Sequence, residues 1–338
     1  MKNKIKVFIR VICFIILLSF MLFKVNEVLM RKSITGEWNM TIKTNGFYNE
    51  AENRFDVMGF GSSHMYCTVN PLTIWENTGI PSYLLTSQQQ PPCTTYYYIK
   101  EALKTQAPKV VLVEAYMFTL QPASYDEGVF HDAVDFLRPS KNKRDLINEM
   151  IPENERINYH IPLLKYHTRW EELEEQDFDN SYRKMKDWLK GYVFLKDSKE
   201  ISVDEEVFNE DIRLPIPEEN LKYLDKIIEL SEEENFKLVL IASPYNVSAK
   251  EHGVFNSISD YAEEKGIDFI NFNSLFNELN LNTNTDFYDS GHTNVYGAEK
   301  VSNYLGEYLQ KKYELENYSE DENYTDFNEG LEKFNKEK

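Results

Sequence analysis

The 338-residue sequence predicts an α/β fold, a parallel sheet flanked by helices and tethered by one apolar helix at the N-terminus. Three observations predict it. Five short runs rich in β-branched and aromatic residues are separated by helical patterns, as a parallel sheet with crossover helices requires. A composition of 42% hydrophobic and 14% aromatic residues is enough to pack a core around such a sheet. Near the N-terminus an apolar run follows a cluster of cations.

That run is residues 11–23, broken only by Ser19 and preceded by Lys2, Lys4, Lys6 and Arg10. It is short for a helix that needs roughly 20 apolar residues to cross a bilayer, which favours a cleaved export signal. No small-x-small cleavage site follows, however, and if Arg10 and Lys24 snorkel, residues 7–25 suffice to span. An uncleaved anchor within residues 1–32 is therefore the expectation. Lys24, Arg31 and Lys32 put cations on its far flank too; the expected arrangement is a cytoplasmic N-terminus with the body outside the cell membrane.

The strand candidates are residues 56–61, 81–86, 109–115, 237–242 and 267–272. The helix candidates are 94–105, 218–233, 257–265 and 297–313, with Pro108 just beyond the first. Between 117 and 215 the alternation stops. So long a stretch without structure is unusual in a compact domain, so it reads as a mostly helical insertion capping the site. Residues 314–338 hold nine acids against three lysines and few aliphatics, so a solvated, partly disordered tail is expected. The α/β body then runs over 33–313.

Chemistry concentrates in two short motifs. Gly61-Ser62-Ser63-His64 follows the first strand candidate, and Asp289-Ser290-Gly291-His292-Thr293-Asn294 precedes the last helix. A serine hydroxyl is a weak nucleophile until an imidazole takes its proton and a carboxylate fixes that imidazole's tautomer. Gly59 and Gly61 leave room for a tight strand-to-helix turn, and Ser63 lies beyond the carboxyl end of a strand, where such sheets bind ligands. The three-residue spacing lets Asp289 fold back onto Nδ1 of His292 and leaves Nε2 free. Each half alone has a bland alternative, a serine N-cap for the first and a hydrophilic loop for the second. Their positions at opposite ends of the α/β unit favour one shared site. His64 is a rival base, but neighbours on a helix do not face each other, so His292 is preferred.

These residues resemble the SGNH (GDSL-type) hydrolase superfamily over residues 54–116 and 217–313. The resemblance implies a flavodoxin-like three-layer α/β/α sandwich with Ser63 as nucleophile, His292 as base and Asp289 as orienting acid. Phe60-Gly61-Ser62-Ser63-His64, Ser87-Gln88-Gln89-Gln90-Pro91 with Tyr96-Tyr97-Tyr98-Ile99-Lys100, Asp286-Phe287-Tyr288-Asp289 and Gly297-Ala298-Glu299-Lys300 are similar to a membrane-anchored bacterial branch. Members of that branch accompany membrane-bound O-acyltransferases in esterifying surface polymers, among them the lipoteichoic acid D-alanylation and alginate O-acetylation proteins. What the resemblance implies is acyl transfer through an acyl-serine, on a cell-surface glycan or teichoic-acid-like polymer, without a cofactor and with an O-acyltransferase as partner.

Two departures bear on that expectation. The superfamily's second block supplies a glycine N–H to the oxyanion, and here Ser87 to Gln90 contains none; Gln89 is the substitute donor. The third block's asparagine is also absent, the chain reading Val113-Glu114-Ala115-Tyr116. Loss of one oxyanion donor costs about 2.7–4 kcal/mol of transition-state stabilisation. The wider oxyanion and substrate set is therefore drawn as Gly61, Gln89, Asn294, His64 and His167, with His160 a second histidine in the cap. A plain esterase or deacetylase would use the same residues; a non-catalytic adaptor on the same fold is favoured by the two departures and opposed by the intact Ser63, His292 and Asp289.

Charge and cysteine usage bound the rest. The first 32 residues carry seven Lys or Arg against one Glu, a net +6, so residues 33–338 hold −25 to give the total of −19. With no cationic stripe, nucleic acid is excluded as a partner. No His, Cys or acidic cluster has metal-ligand spacing. Cys67 and Cys93 could pair in an oxidising compartment; two buried free thiols is the preferred reading.

Overall fold

In the computed structural model, which describes residues 2–121, 126–209 and 211–338, all five strand candidates join one sheet. The strands are β1 (Val57–Phe60), β2 (Ser82–Leu84), β3 (Val110–Glu114), β4 (Lys237–Ala242) and β5 (Asp268–Asn271), and every pairing is parallel. Their order is β2-β1-β3-β4-β5, with Val57 level with both Ser82 and Val110. Chain direction across the sheet reverses at β1 and β3, the switch point where α/β sheets open a crevice.

Burial on both faces explains the near-continuous apolar strands. Met58, Phe60, Val111, Val113, Leu238 and Leu240 join one core, and Val57, Val110, Leu112, Val239 and Ile241 the other. In chain order the helices before β3 are α1 (Lys2–Leu29), α2 (Met40–Phe47), α3 (Ser63–Thr68), α4 (Pro71–Thr78) and α5 (Pro92–Ala102). The insertion supplies α6 (Tyr116–Thr119), α7 (Glu127–Val134), α8 (Lys141–Met150), α9 (Arg156–His160), α10 (Leu163–Tyr166) and α11 (Glu175–Phe178). Then come α12 (Glu218–Glu233), α13 (Ala249–Lys265), α14 (Val295–Tyr313) and α15 (Thr325–Glu337). Tyr98 and Ile99 of α5, Leu224 and Ile227 of α12, and Phe255 and Ile258 of α13 pack into the first core. Val301, Leu305 and Leu309 of α14, with Met65 and Tyr66 of α3, pack into the second. The α13 helix starts earlier than its apolar pattern suggested, because Ser248 and Glu251 form a capping box.

Three expectations need correction or completion. The insertion is helical only in its first part. Among the described residues of 185–215 the one helical piece is a short 3₁₀ turn, Glu205–Asn209, and Leu189, Tyr192, Val193 and Leu195 of this stretch are buried. The Leu84 N–H donates to the Lys190 carbonyl at 2.9 Å and the Val193 N–H to that of Tyr66 at 2.8 Å, so this segment lies beside β2 and α3 as part of the body. Gly191 makes the approach possible: with φ +94°, any Cβ there would sit 2.1 Å from the Leu84 carbonyl oxygen.

The acidic tail is also folded. Phe327 and Phe334 of α15 are buried, Phe327 stacks on Trp75 at 4.7 Å between ring centroids, and Asp326 pairs with Arg54 and, at 2.6 Å, with Lys190. Few aliphatics conceal an apolar stripe built largely of aromatics: Phe327, Leu331 and Phe334 recur at helical spacing. Cys67 and Cys93 are free, buried thiols in different cores. Finally, residues 3–29 form a helix long and apolar enough to cross a membrane, with its apolar side chains exposed as far as Val25.

Phe327→Ala is expected to lower the unfolding free energy by about 3–5 kcal/mol, as for other large core deletions, measured by chemical denaturation of the detergent-solubilised chain. A disordered tail would instead leave the midpoint unchanged.

Candidate active site

The loop that carries Ser63 is fixed by a glycine. Gly61 leaves β1 with φ +151°, and a Cβ on it would lie 2.6 Å from Cβ of Glu114 at the end of β3. The turn therefore closes only without a side chain, and it delivers Ser62 to the N-cap of α3. The Ser62 hydroxyl accepts from the His64 N–H and donates to Oε2 of Glu114 at 3.1 Å. Ser63 becomes the first residue of α3, where its own N–H has no preceding helical carbonyl to bind.

The partner loop is clamped from several sides. Phe287 bridges Thr293, the Tyr288 N–H donates to the His292 carbonyl at 2.9 Å, and the Asn246 N–H holds the Ser290 carbonyl at 3.0 Å. Thr293 ties the loop to α3 by donating to the Cys67 carbonyl at 2.9 Å. In that frame Nδ1 of His292 lies 2.9 and 3.1 Å from the two oxygens of Asp289, whose Oδ1 also accepts the Gly291 N–H. Nε2 of His292 lies 2.8 Å from Oγ of Ser63. A carboxylate on Nδ1 fixes the tautomer that leaves Nε2 as the acceptor, so this nitrogen can take the serine proton.

Ser63 and His292 open into a cavity of about 860 Å³ between the body, the segment after α1 and the insertion. Trp38 sets its ring edge-on to His292, at 6.2 Å between centroids. Tyr66, one turn along α3 from the serine, also lines the cavity; burial pushes its phenol well above the usual value, while the Ser63 hydroxyl beside it pulls the other way. The insertion contributes His131, Asp132 and Asp135 from α7 and just beyond, and Tyr166 and Arg169 from further along. His131 Nδ1 is 2.9 Å from Asp135, which also accepts the Tyr166 hydroxyl at 2.8 Å.

The wider residue set divides. Gln89 lines the cavity in a left-handed conformation, φ +46°, and Gly61 shapes the serine turn. Asn294 does not face a substrate: it is buried at the N-cap of α14, accepting from the Tyr296 and Gly297 N–H groups and donating to the Thr285 carbonyl. His64 is buried behind the loop, stacked on Tyr116 at 4.0 Å; burial, with the neighbouring His292, drives its pKa down to about 3, so it stays neutral. It lies outside the cavity lining. His167 is exposed, with Nδ1 on the Leu164 carbonyl, and also lies outside that lining, as does His160. Sequence reasoning missed Trp38 and α7. The first precedes the first strand candidate in a stretch that carries no motif, and nothing local marks the second as facing Ser63. Tyr66 was legible, since three residues along a helix brings it to the serine's side. Among the described residues no group of three or more His, Cys or acidic side chains is placed to hold a metal ion.

Neither a family model nor a curated protein matches the chain.

Burial raises the Glu114 carboxyl from its usual 4.5 to about 8, against the opposing pull of the Tyr116 N–H and Ser62. The folded chain thus holds this proton more tightly than the unfolded one. Its stabilising contribution is complete below pH 4.5 and is lost as pH rises toward 8, by about 1.4 kcal/mol per unit at most. Glu114→Gln should remove this part of the slope, read from denaturant midpoints across the same pH window; an unchanged slope would mean that Glu114 is ionised in the fold.

Proposed function

We propose that this protein is an SGNH-type serine acyltransferase or esterase that works through an acyl-Ser63 intermediate. The observation that carries the reading is the continuous line from Ser63 Oγ through both nitrogens of His292 to Asp289. In the reaction, His292 takes the Ser63 proton as Oγ attacks an ester carbonyl, then returns it to the departing alcohol. An acceptor hydroxyl, or water, next gives its proton to His292 and attacks the acyl group, releasing Ser63. The Ser63 N–H and the Gln89 region receive the oxyanion, in place of the glycine and asparagine that this chain lacks.

The cavity wall supports a substrate class. Trp38, Tyr66 and Tyr166 line the cavity among Asp132, Asp135, Arg169 and Gln89, a mixture of aromatic and polar groups suited to a polyhydroxyl chain. A cell-surface glycan or teichoic-acid-like polymer is the proposed acceptor, with acetyl or another small acyl group transferred. The same reading places α1 across the cell membrane with the body outside, beside a membrane-bound O-acyltransferase. The missing oxyanion donors keep a second reading in view, a non-catalytic adaptor with the same fold.

Fluorophosphonate labelling of the full chain in detergent separates the two. Wild type should label at Ser63, Ser63→Ala and His292→Ala should not, and Asp289→Asn should slow labelling by about 10⁴-fold through the wrong tautomer. Absence of labelling in folded protein would favour the adaptor. Once Ser63 labels, acyl product on added glycan that rises with glycan concentration identifies the transferase; release to water alone identifies the esterase.

A further inference from the structure

The apolar surface of α1 stops abruptly. Its side chains are exposed as far as Val25, and then Glu27 and Leu29 are buried against protein. A bilayer crossed by α1 must end its hydrocarbon at about that turn. Residues 156–185 gather round this exit. Arg183 pairs with Glu27 at 2.8 Å, Arg169 donates to the Leu29 carbonyl at 2.6 Å, and the Lys32 ammonium donates to the Asp177 carbonyl. The α10 and α11 helices and the 3₁₀ turn His167–Glu171 all touch α1.

The same stretch exposes Ile157, Ile161, Leu164, Trp170, Phe178 and Met185, each by 45% or more, with Trp170 at 65%. Elsewhere outside α1, only Trp38, Ile212 and Tyr296 are large hydrophobics of comparable exposure among the described residues, and each is less exposed than these six. Scattered apolar side chains need no explanation, but six within thirty residues, arranged about a helix that leaves lipid, do. Aromatic and aliphatic side chains at this level gain by entering the boundary between acyl chains and headgroups. Charge does not supply the attraction. The stretch holds five Lys or Arg against six acids, so the seat is an apolar one.

We propose that residues 156–185 form a collar seated in the phospholipid headgroup region around the exit of α1. The catalytic cavity is lined by Arg31, two residues beyond α1, and by Lys165, Tyr166, Thr168 and Arg169 of the collar. A collar seated in this way holds that cavity at the lipid surface. The inference rests on α1 crossing a bilayer and is independent of the chemistry at Ser63.

The test uses the full chain in phosphatidylcholine nanodiscs with acyl chains brominated near the headgroup. The difference in emission between the wild type and Trp170→Phe isolates Trp170. Seating predicts a blue-shifted Trp170 signal that loses most of its intensity in brominated discs, resists aqueous iodide and does not respond to added salt. A red-shifted signal quenched by iodide but not by bromine would overturn the collar. A signal quenched by neither would overturn it too, because protein rather than lipid would then cover Trp170. Failure of Ser63 to label leaves all three outcomes readable.

Discussion

The close approach of Gly61 to Glu114 is the constraint on which the site depends. Two adjacent parallel strands end side by side, and the chain leaves one of them through a conformation that a side chain would block. The turn is short enough that one residue later Ser62 both caps α3 and bonds the strand beside it. Ser63 then has little freedom: its position is set by a helix start on one side and by the His292 loop on the other. Burying a carboxyl under the turn costs desolvation, which the fold offsets by keeping the proton and by the Tyr116 and Ser62 hydrogen bonds.

The second motif is held by equally local means. Backbone hydrogen bonds close the 287–293 loop on itself, and Thr293 fastens it to the helix that begins with the serine. Asn294, immediately after, spends its side chain on capping α14 and on the Thr285 carbonyl. The Lys199 N–H adds a further bond, to the Phe287 carbonyl at 2.8 Å, so the loop that pairs Asp289 with His292 is held mainly through backbone. The cavity in front is a separate construction, assembled from the segment after α1, from α3, and from the insertion.

This division explains what the sequence revealed. Strands and the two motifs that carry Ser63, Asp289 and His292 were legible because each is written locally, as an apolar run or as residues a few positions apart. The second half of the insertion was misread because its apolar stretch from 188 to 195 follows no helical or strand period; it fills a gap beside β2 that only the folded body defines. The tail was misread because two phenylalanines and a leucine carry its packing amid nine acids. The candidate substrate residues failed for a different reason. His64 and Asn294 have suitable chemistry and suitable sequence neighbours, yet burial turns one into a neutral packing group and capping consumes the other. His131 and Trp38 reach the cavity through tertiary placement alone.

Trp38 has a consequence for how the molecule can be handled, in the cell and at the bench. It reaches the edge of the His292 ring from a segment that begins where α1 ends, only nine residues beyond Leu29. Arg31 lines the same cavity from still closer to the helix. The segment that leaves α1 is thus also a wall of the cavity in front of Ser63. Cleavage of the chain between Arg31 and Trp38 would separate Arg31 from the body that carries Ser63, and cleavage after Trp38 would separate both, so the body alone would lack part of its cavity wall.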